Sequence, residues 1–375
     1  MKLSKLSFMV LFSAGLAACG SAPAAAPASP AGSPSSASAA SPSAAAKASA
    51  AISAPAVSGA AKPSAAGSAL ASGQGAKVTV AYINISGSNI SLFVTNDGGY
   101  FQKHRLTVDM QFINGASKGM GALLANQVDI CQCGAEIVSA NVAGADLEVT
   151  ATLTPVYPYK FEAAPSIKSF ADLKGKPVGM SSIGGAVDII TRIVLQKNGL
   201  NPDKDVTLVP DNGSTFRIDA LLGGATVAAM ADPPGLQKIE AQGFHTLADP
   251  AADKIPTANS TIVASRAWIN VHHDLMQAYV DAIVEGTART KKDKAFAVSV
   301  MKKYFKSDDD KVMGDTWDFF ANEVEPSIPV TTPEQFTETI NGLAKENPKV
   351  KDYDISKAID ASFVKSAADR GLDKS

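Results

Sequence analysis

The chain has 375 residues, 34 of them basic and 36 acidic, for a formal net charge of −2 with three cysteines. A balance this close to neutral excludes an electrostatic nucleic-acid surface, and three cysteines exclude a disulfide scaffold. The charge is unevenly placed: the first 76 residues hold four lysines and no acid, and the remainder sets 30 basic against 36 acidic residues.

In chain order, residues 1–18 read as an export signal. Lys2 and Lys5 precede an apolar run from Leu6 to Leu16 that is too short to span a bilayer. Leu16-Ala17-Ala18-Cys19 resembles the bacterial lipobox, so Cys19 is expected to carry a lipid that ties the protein to a membrane. Residues 19–76 are almost entirely Ala, Ser, Pro and Gly. Such a segment has no large side chains to offset ordering entropy and is expected to be a disordered tether.

About 300 residues remain, enough for two domains with full cores. Strands are expected at Val78 to Ile83, Leu106 to Ile113, Val128 to Cys133 and Leu147 to Thr154, with helical patterns between them. A second series follows at Lys176 to Ser182, Val206 to Pro210, Thr226 to Ala231 and Phe244 to Leu247. Strand-helix alternation predicts a mostly parallel α/β sheet in each series. "FINGASKGMGALLANQVDI" from Phe112 recurs 98 residues later as "DNGSTFRIDALLGGATVAAMADPP", which marks a duplicated unit. Beyond Thr261 to Ser265 the pattern is helical, and that tail is expected to return to the first sheet. The chain then crosses twice, near Tyr157 to Phe161 and near Thr257 to Thr261, giving lobe I (77–158 and 262–375), lobe II (159–261) and a hinged cleft.

The ordered set "GGYFQKHRLTVDM", "ALLANQVDI", "SIKSFADLKGKPVGMSS", "KNGLNPDKDVTLV" and "YDISKAIDASFVKSAADRGL" resembles the substrate-binding proteins of ABC importers, in the group of sulfonate, taurine, nitrate and thiamine-precursor receptors. The resemblance implies a type II periplasmic-binding-protein fold. It implies an extracytoplasmic, monomeric receptor that delivers a small ligand to permease and ATPase subunits, with no catalytic residue, cofactor or metal. Two departures stand out. Arg105 occupies a turn where glycine is common, and Thr226-Val227-Ala228 replaces the usual Val-Asp-Ala of the second unit. A ligand-sensing receptor subunit is the alternative reading. Pyrimidine synthases of the same group hold their cofactor on a lysine, but the lysine and histidine positions here are Cys133 and Ile137.

In open α/β sheets ligands sit beyond the carboxyl ends of the strands, at helix N-termini. That rule selects Ser86, Ser88 and Asn89 after the first strand, Asn114, Ala116 and Ser117 after the second, and Gly134 to Glu136 after the third. Lobe II contributes Ser181, Ser182, Gly184, Gly185 and Asp232. Neutral donors at helix ends favour an organic anion such as a sulfonate, whereas Glu136 and Asp232 favour ligand donors; a zwitterion satisfies both sets. Ile83-Asn84 at the first strand end disfavours an aminopyrimidine. Tyr157 either stacks on the ligand or packs the hinge, Arg217 and Lys118 read as solvated helix residues, and Cys131 and Cys133 read as buried core.

Overall fold

A computed structural model describes residues 75–375 apart from 182, 184, 212 and 346, all within one compact unit. The expected signal, Cys19 and nearly all of the tether lie outside the described residues, as do Ser182 and Gly184.

Ten strands form: β1 Ala76–Tyr82, β2 Leu106–Phe112, β3 Ile130–Cys133, β4 Leu147–Val156, β5 Lys160–Ala163, β6 Pro177–Met180, β7 Thr207–Pro210, β8 Ala228–Ala231, β9 His245–Ala248 and β10 Pro256–Ser265. They make two five-stranded sheets, ordered β2-β1-β3-β10-β4 and β7-β6-β8-β5-β9. This is the two-sheet α/β architecture expected, with one correction. Each sheet is half antiparallel: β10 runs against β3 and β4, and β5 runs against β8 and β9. The cause is the crossing of the chain between sheets, which brings each crossing strand in from the opposite end. Strand β5 (Lys-Phe-Glu-Ala) was not expected because four residues around one large apolar side chain carry no period.

β1 is buried on both faces. Val78, Val80 and Tyr82 point into one apolar cluster and Ala81 and Ile83 into another, which is why a central strand reads as continuously apolar. The helical tail covers the first sheet. Helix His273–Lys292 fills one cluster with Tyr279, Val280 and Ile283, and Phe336 enters the other. Among the described residues no helix is long and apolar enough to cross a membrane.

The crossings lie side by side: Tyr157 N–H donates to Ile255 O at 3.0 Å, and Pro256 pairs with Val156. Strand β10 therefore begins upstream of the segment expected to cross. Its polar start, Thr257 to Ser260, lacks alternation, with a register shift between Pro256 and Asn259 and Ser260 at φ 51°.

Both departures from the resembled pattern have local explanations. Arg105 sits at φ 59°, a left-handed conformation that glycine adopts without cost, so arginine there is strained by about 1 kcal/mol. The lost aspartate is matched by a second change 98 residues from its counterpart. In the first sheet Asp129 Oδ2 accepts the Thr79 N–H at 2.7 Å. In the second sheet the position of Thr79 is Pro177, which has no N–H, so Val227 at the aspartate position leaves nothing unsatisfied.

The duplicated helices solve the same packing problem differently. A Cβ built on Gly119 would lie 2.4 Å from Ile83 Cγ2 and 3.3 Å from Cys131 Sγ, so glycine makes room for the cysteine pair. Cys131 and Cys133 are buried and bonded to each other, with Cα atoms 5.3 Å apart. In the second unit Ala229 and Ala231 stand at the cysteine positions, and Arg217 stands where the first unit has Gly119. The expectation of a solvated Arg217 is thereby corrected: it is 3 % exposed, donating to Met230 O at 2.7 Å and Asp211 Oδ2 at 3.2 Å.

Candidate functional site

The carboxyl edges of the two sheets meet at the paired turns of the duplication. A Cβ built on Gly213 would lie 3.6 Å from Asn114 Oδ1. On either side of this contact is a recess. The larger, about 490 Å³, runs from Ile85 and Ser86 to Ser214 and Asp232 and is closed by Tyr304 and Phe305 of the tail. The smaller, about 350 Å³, is bordered by Ser117, Ala135, Glu136, Ile183, Gly185 and the tail residue Leu343. Both volumes fall in the range of small-molecule sites.

The expected residues divide among these places. Ser86 caps the short helix Gly87–Asn89, accepting from Ser88 N–H at 3.3 Å, and borders the larger recess with Asp232. Ser88 and Asn89 are buried. Asn89 belongs to a structural network instead of a recess wall: its Nδ2 donates to Asn84 O at 2.9 Å, and its Oδ1 accepts from Gln132 Nε2 at 2.7 Å and Ser260 Oγ at 3.1 Å. Ser117, Glu136 and Gly185 share the smaller recess; Ala116 is half-buried one residue away, at the start of the helix Ala116–Leu124. Ser181 accepts from Asp188 N–H at 3.3 Å near the start of the helix Ala186–Lys197. Tyr157 is fully buried, lines neither recess, and has its hydroxyl pushed up to about 12 by burial.

The two acids differ. Glu136 Oε2 accepts the Gly134 N–H at 2.9 Å; burial raises its carboxyl, and that N–H with its own opposes the rise. Asp232, at the position of Gly134 in the duplication, is buried and pushed up to about 6 by desolvation, against the pull of Arg217. Burial also raises Tyr159 strongly, with the negative charge of Asp232 adding to the rise.

Several participants escaped the sequence reading. Asp211 directly follows β7 and Arg217 lies on the next helix, but the sequence reading does not single them out as a pair, and the tail residues of the larger recess, Tyr304 to Met313, come 72 to 81 residues after Asp232. Gln132 did carry a signal: it is the one polar side chain in a strand whose four residues are all buried, and its Oε1 has no partner among the described residues. Among those residues no group of three or more His, Cys, Asp or Glu is arranged to hold a metal ion.

Comparison with known proteins agrees with the architecture. Over 213 residues the chain is 26% identical to YtlA of Bacillus subtilis (strain 168), a match spanning 55% of this chain and 64% of that relative. Two solved structures share the fold. The periplasmic aliphatic sulphonate binding protein SsuA from Escherichia coli superposes with TM-score 0.63 at 19% identity, over 77% of this chain and 99% of that one. The ligand-binding component of an ABC-type import system from Staphylococcus aureus, with zinc bound, gives 0.65 at 14% identity, over 78% and 99%. The NMT1/THI5-like family model matches residues 87–295, more than half of the chain, and its span takes in both crossings and every strand except β1. On that match and the two-sheet topology, the chain is a member of the NMT1/THI5-like family with the type II periplasmic-binding-protein fold.

Proposed function

We propose that the protein is an extracytoplasmic solute receptor that binds a small organic solute between the carboxyl edges of its two sheets and delivers it, as a monomer, to the permease and ATPase subunits of an ABC importer. In this reading it catalyses no reaction and carries no cofactor. The observation that carries the proposal is the pair of solute-sized recesses between two sheets joined by adjacent crossings. Lobe I comprises 77–158 and 262–375, lobe II comprises 159–261, and the crossings form the hinge. The names of the similar solved structures, a sulphonate binder and an import-system component, support the transport role. Against the pyrimidine-synthase alternative, the expected lysine position is the disulfide-bonded Cys133 and the histidine position is the buried Ile137.

An organic anion draws support from Gly185, which caps the helix Ala186–Lys197 beside the smaller recess, because a helix N-terminus favours negative charge. Glu136 in the same recess opposes it. Thermal unfolding in the presence of sulfonates, taurine, nitrate, carboxylates and pyrimidines tests the receptor reading. A true ligand at 100 times its Kd stabilises by about 2.7 kcal/mol, a rise of roughly 5–10 °C. A melting temperature unmoved by any solute class would end the proposal.

The membrane link belongs to the same reading and rests on Cys19, outside the described residues. Cys19→Ser is expected to move the protein from the membrane to the soluble fraction without altering its unfolding temperature. Equal membrane retention of both forms would remove the lipid assignment.

A further inference from the structure

The larger recess contains a carboxylate whose one hydrogen-bond donor among the described residues is its own backbone N–H. This is Asp232, which is 6 % exposed and borders the recess. An aspartate at the start of a helix is ordinarily satisfied by the N–H groups two and three residues on. Here the residue two on is Pro234, which has no N–H, and the helix Gly235–Glu240 has no side-chain cap, so the N–H of Gly235 three residues on is not taken by Asp232 either. Glu136 is different, since it takes the N–H of Gly134.

The nearest cation is already engaged. Arg217 donates through Nε to Met230 O and through Nη1 to Asp211 Oδ2; it lowers the Asp232 carboxyl through space by less than burial raises it, and makes no hydrogen bond to it among the described residues. Elsewhere along the recess Asp219 and Lys238 pair with each other at 3.2 Å on the surface, and Lys306 is exposed to solvent, where its charge is screened. The recess wall combines the apolar and aromatic side chains of Ile85, Ile218, Pro234, Tyr304 and Phe305 with the hydroxyls of Ser86, Ser214, Thr215 and Ser307.

From this geometry we infer that the larger recess takes a small organic amine, whose ammonium pairs with Asp232 while its apolar body lies against Ile85, Ile218 and Phe305. The inference rests on the receptor reading above and names the solute class for one of its recesses. A buried carboxylate with a single donor is costly, and an ammonium supplies both the opposite charge and up to three N–H donors. Aromatic faces stabilise a cation further. An anion in the same place would meet Asp232 at short range in a poorly solvated space and be repelled.

Calorimetric titration of the full protein with probes on matched skeletons tests this: benzylamine, benzoate and benzyl alcohol, then hexylamine and hexanesulfonate. The amines are expected to bind and their anionic and neutral counterparts not. Asp232→Asn is expected to weaken the amines about tenfold or more. If Asp232→Asn fails to fold, the comparison of benzylamine with benzyl alcohol on the unaltered protein still decides the matter. Binding of the anions in place of the amines overturns the inference while the receptor reading stands. Equal binding of benzylamine and benzyl alcohol also overturns it, since charge is then not read. Silence from the amines overturns it too, and the receptor reading then depends on the solute panel alone.

Discussion

Gly286→Leu is expected to destabilise the protein by about 3 kcal/mol or more and to lower its melting temperature by roughly 6–12 °C. The helix Ile90–Asp97 crosses the long helix His273–Lys292 at this glycine. A Cβ built there would lie 1.9 Å from Thr95 Oγ1, 2.8 Å from Thr95 Cβ and 2.9 Å from Thr95 Cα. The hydroxyl cannot easily turn away because it donates to Ser91 O at 2.6 Å, and the Cα is backbone. Leucine is the better helix former by about 1 kcal/mol, which is too little to offset forcing two buried helices apart. Thr95→Gly in the same chain removes the hydroxyl and the Cβ but not the Cα, so it should restore only part of the loss. Calorimetric unfolding of the two single variants and the double variant measures this. A loss below about 1 kcal/mol for Gly286→Leu would show that the helices separate freely. The contact also bears on the site, because the helix Ile90–Asp97 directly follows Ser86, Ser88 and Asn89.

A second large effect is expected in the dependence of stability on pH. Glu325 is 4 % exposed; Ser91 Oγ donates to its Oε2 at 2.7 Å, and its Oε1 has no partner among the described residues. Lys291, whose ammonium donates to the carbonyls of Ala321 and Glu325, opposes the effect of burial only in part. Burial therefore pushes the Glu325 carboxyl from 4.5 up to about 7, as it pushes Asp232 from 3.8 up to about 6. Both acids hold their protons more tightly in the folded chain than in the unfolded one. The stability they contribute is complete below the unfolded values, near pH 4, and is lost as pH rises through the folded values toward 7. For Glu325 the full span is about 3 kcal/mol. Glu325→Gln cannot ionise, so urea unfolding should find it gaining on the unaltered protein by up to that amount between pH 4.5 and 7.5. A difference between the two proteins that stays constant across this range would show that Glu325 is not held protonated. Taking the difference removes the general acid destabilisation that comes from protonating the surface ion pairs.

The sequence by itself determined what depends on local pattern. Apolar runs and their periods placed eight of the ten strands, because a strand buries its apolar face wherever it later packs. The 98-residue repeat showed two equivalent units, since equivalent turns need the same residues. It also pointed to the strand ends as the place for a site, which is a property of parallel sheets and not of particular side chains. Tertiary structure decided what depends on partners distant in the chain. Strand β5 exists because β8 and β9 flank it, and its four residues carry no signal of their own. Arg217 lies on a helix face that sequence leaves looking solvated, and it is buried because Ala229 and Ala231 leave space where the first unit has cysteines. Glu136 and Asp232 are indistinguishable as acids after a strand. One is satisfied by a neighbouring N–H, and the other is followed by two prolines and walled in by Tyr304 and Phe305 from a tail about 70 residues away. A local pattern records which way a residue must face, whereas its charge state and hydrogen-bond partners depend on what the rest of the chain brings against it.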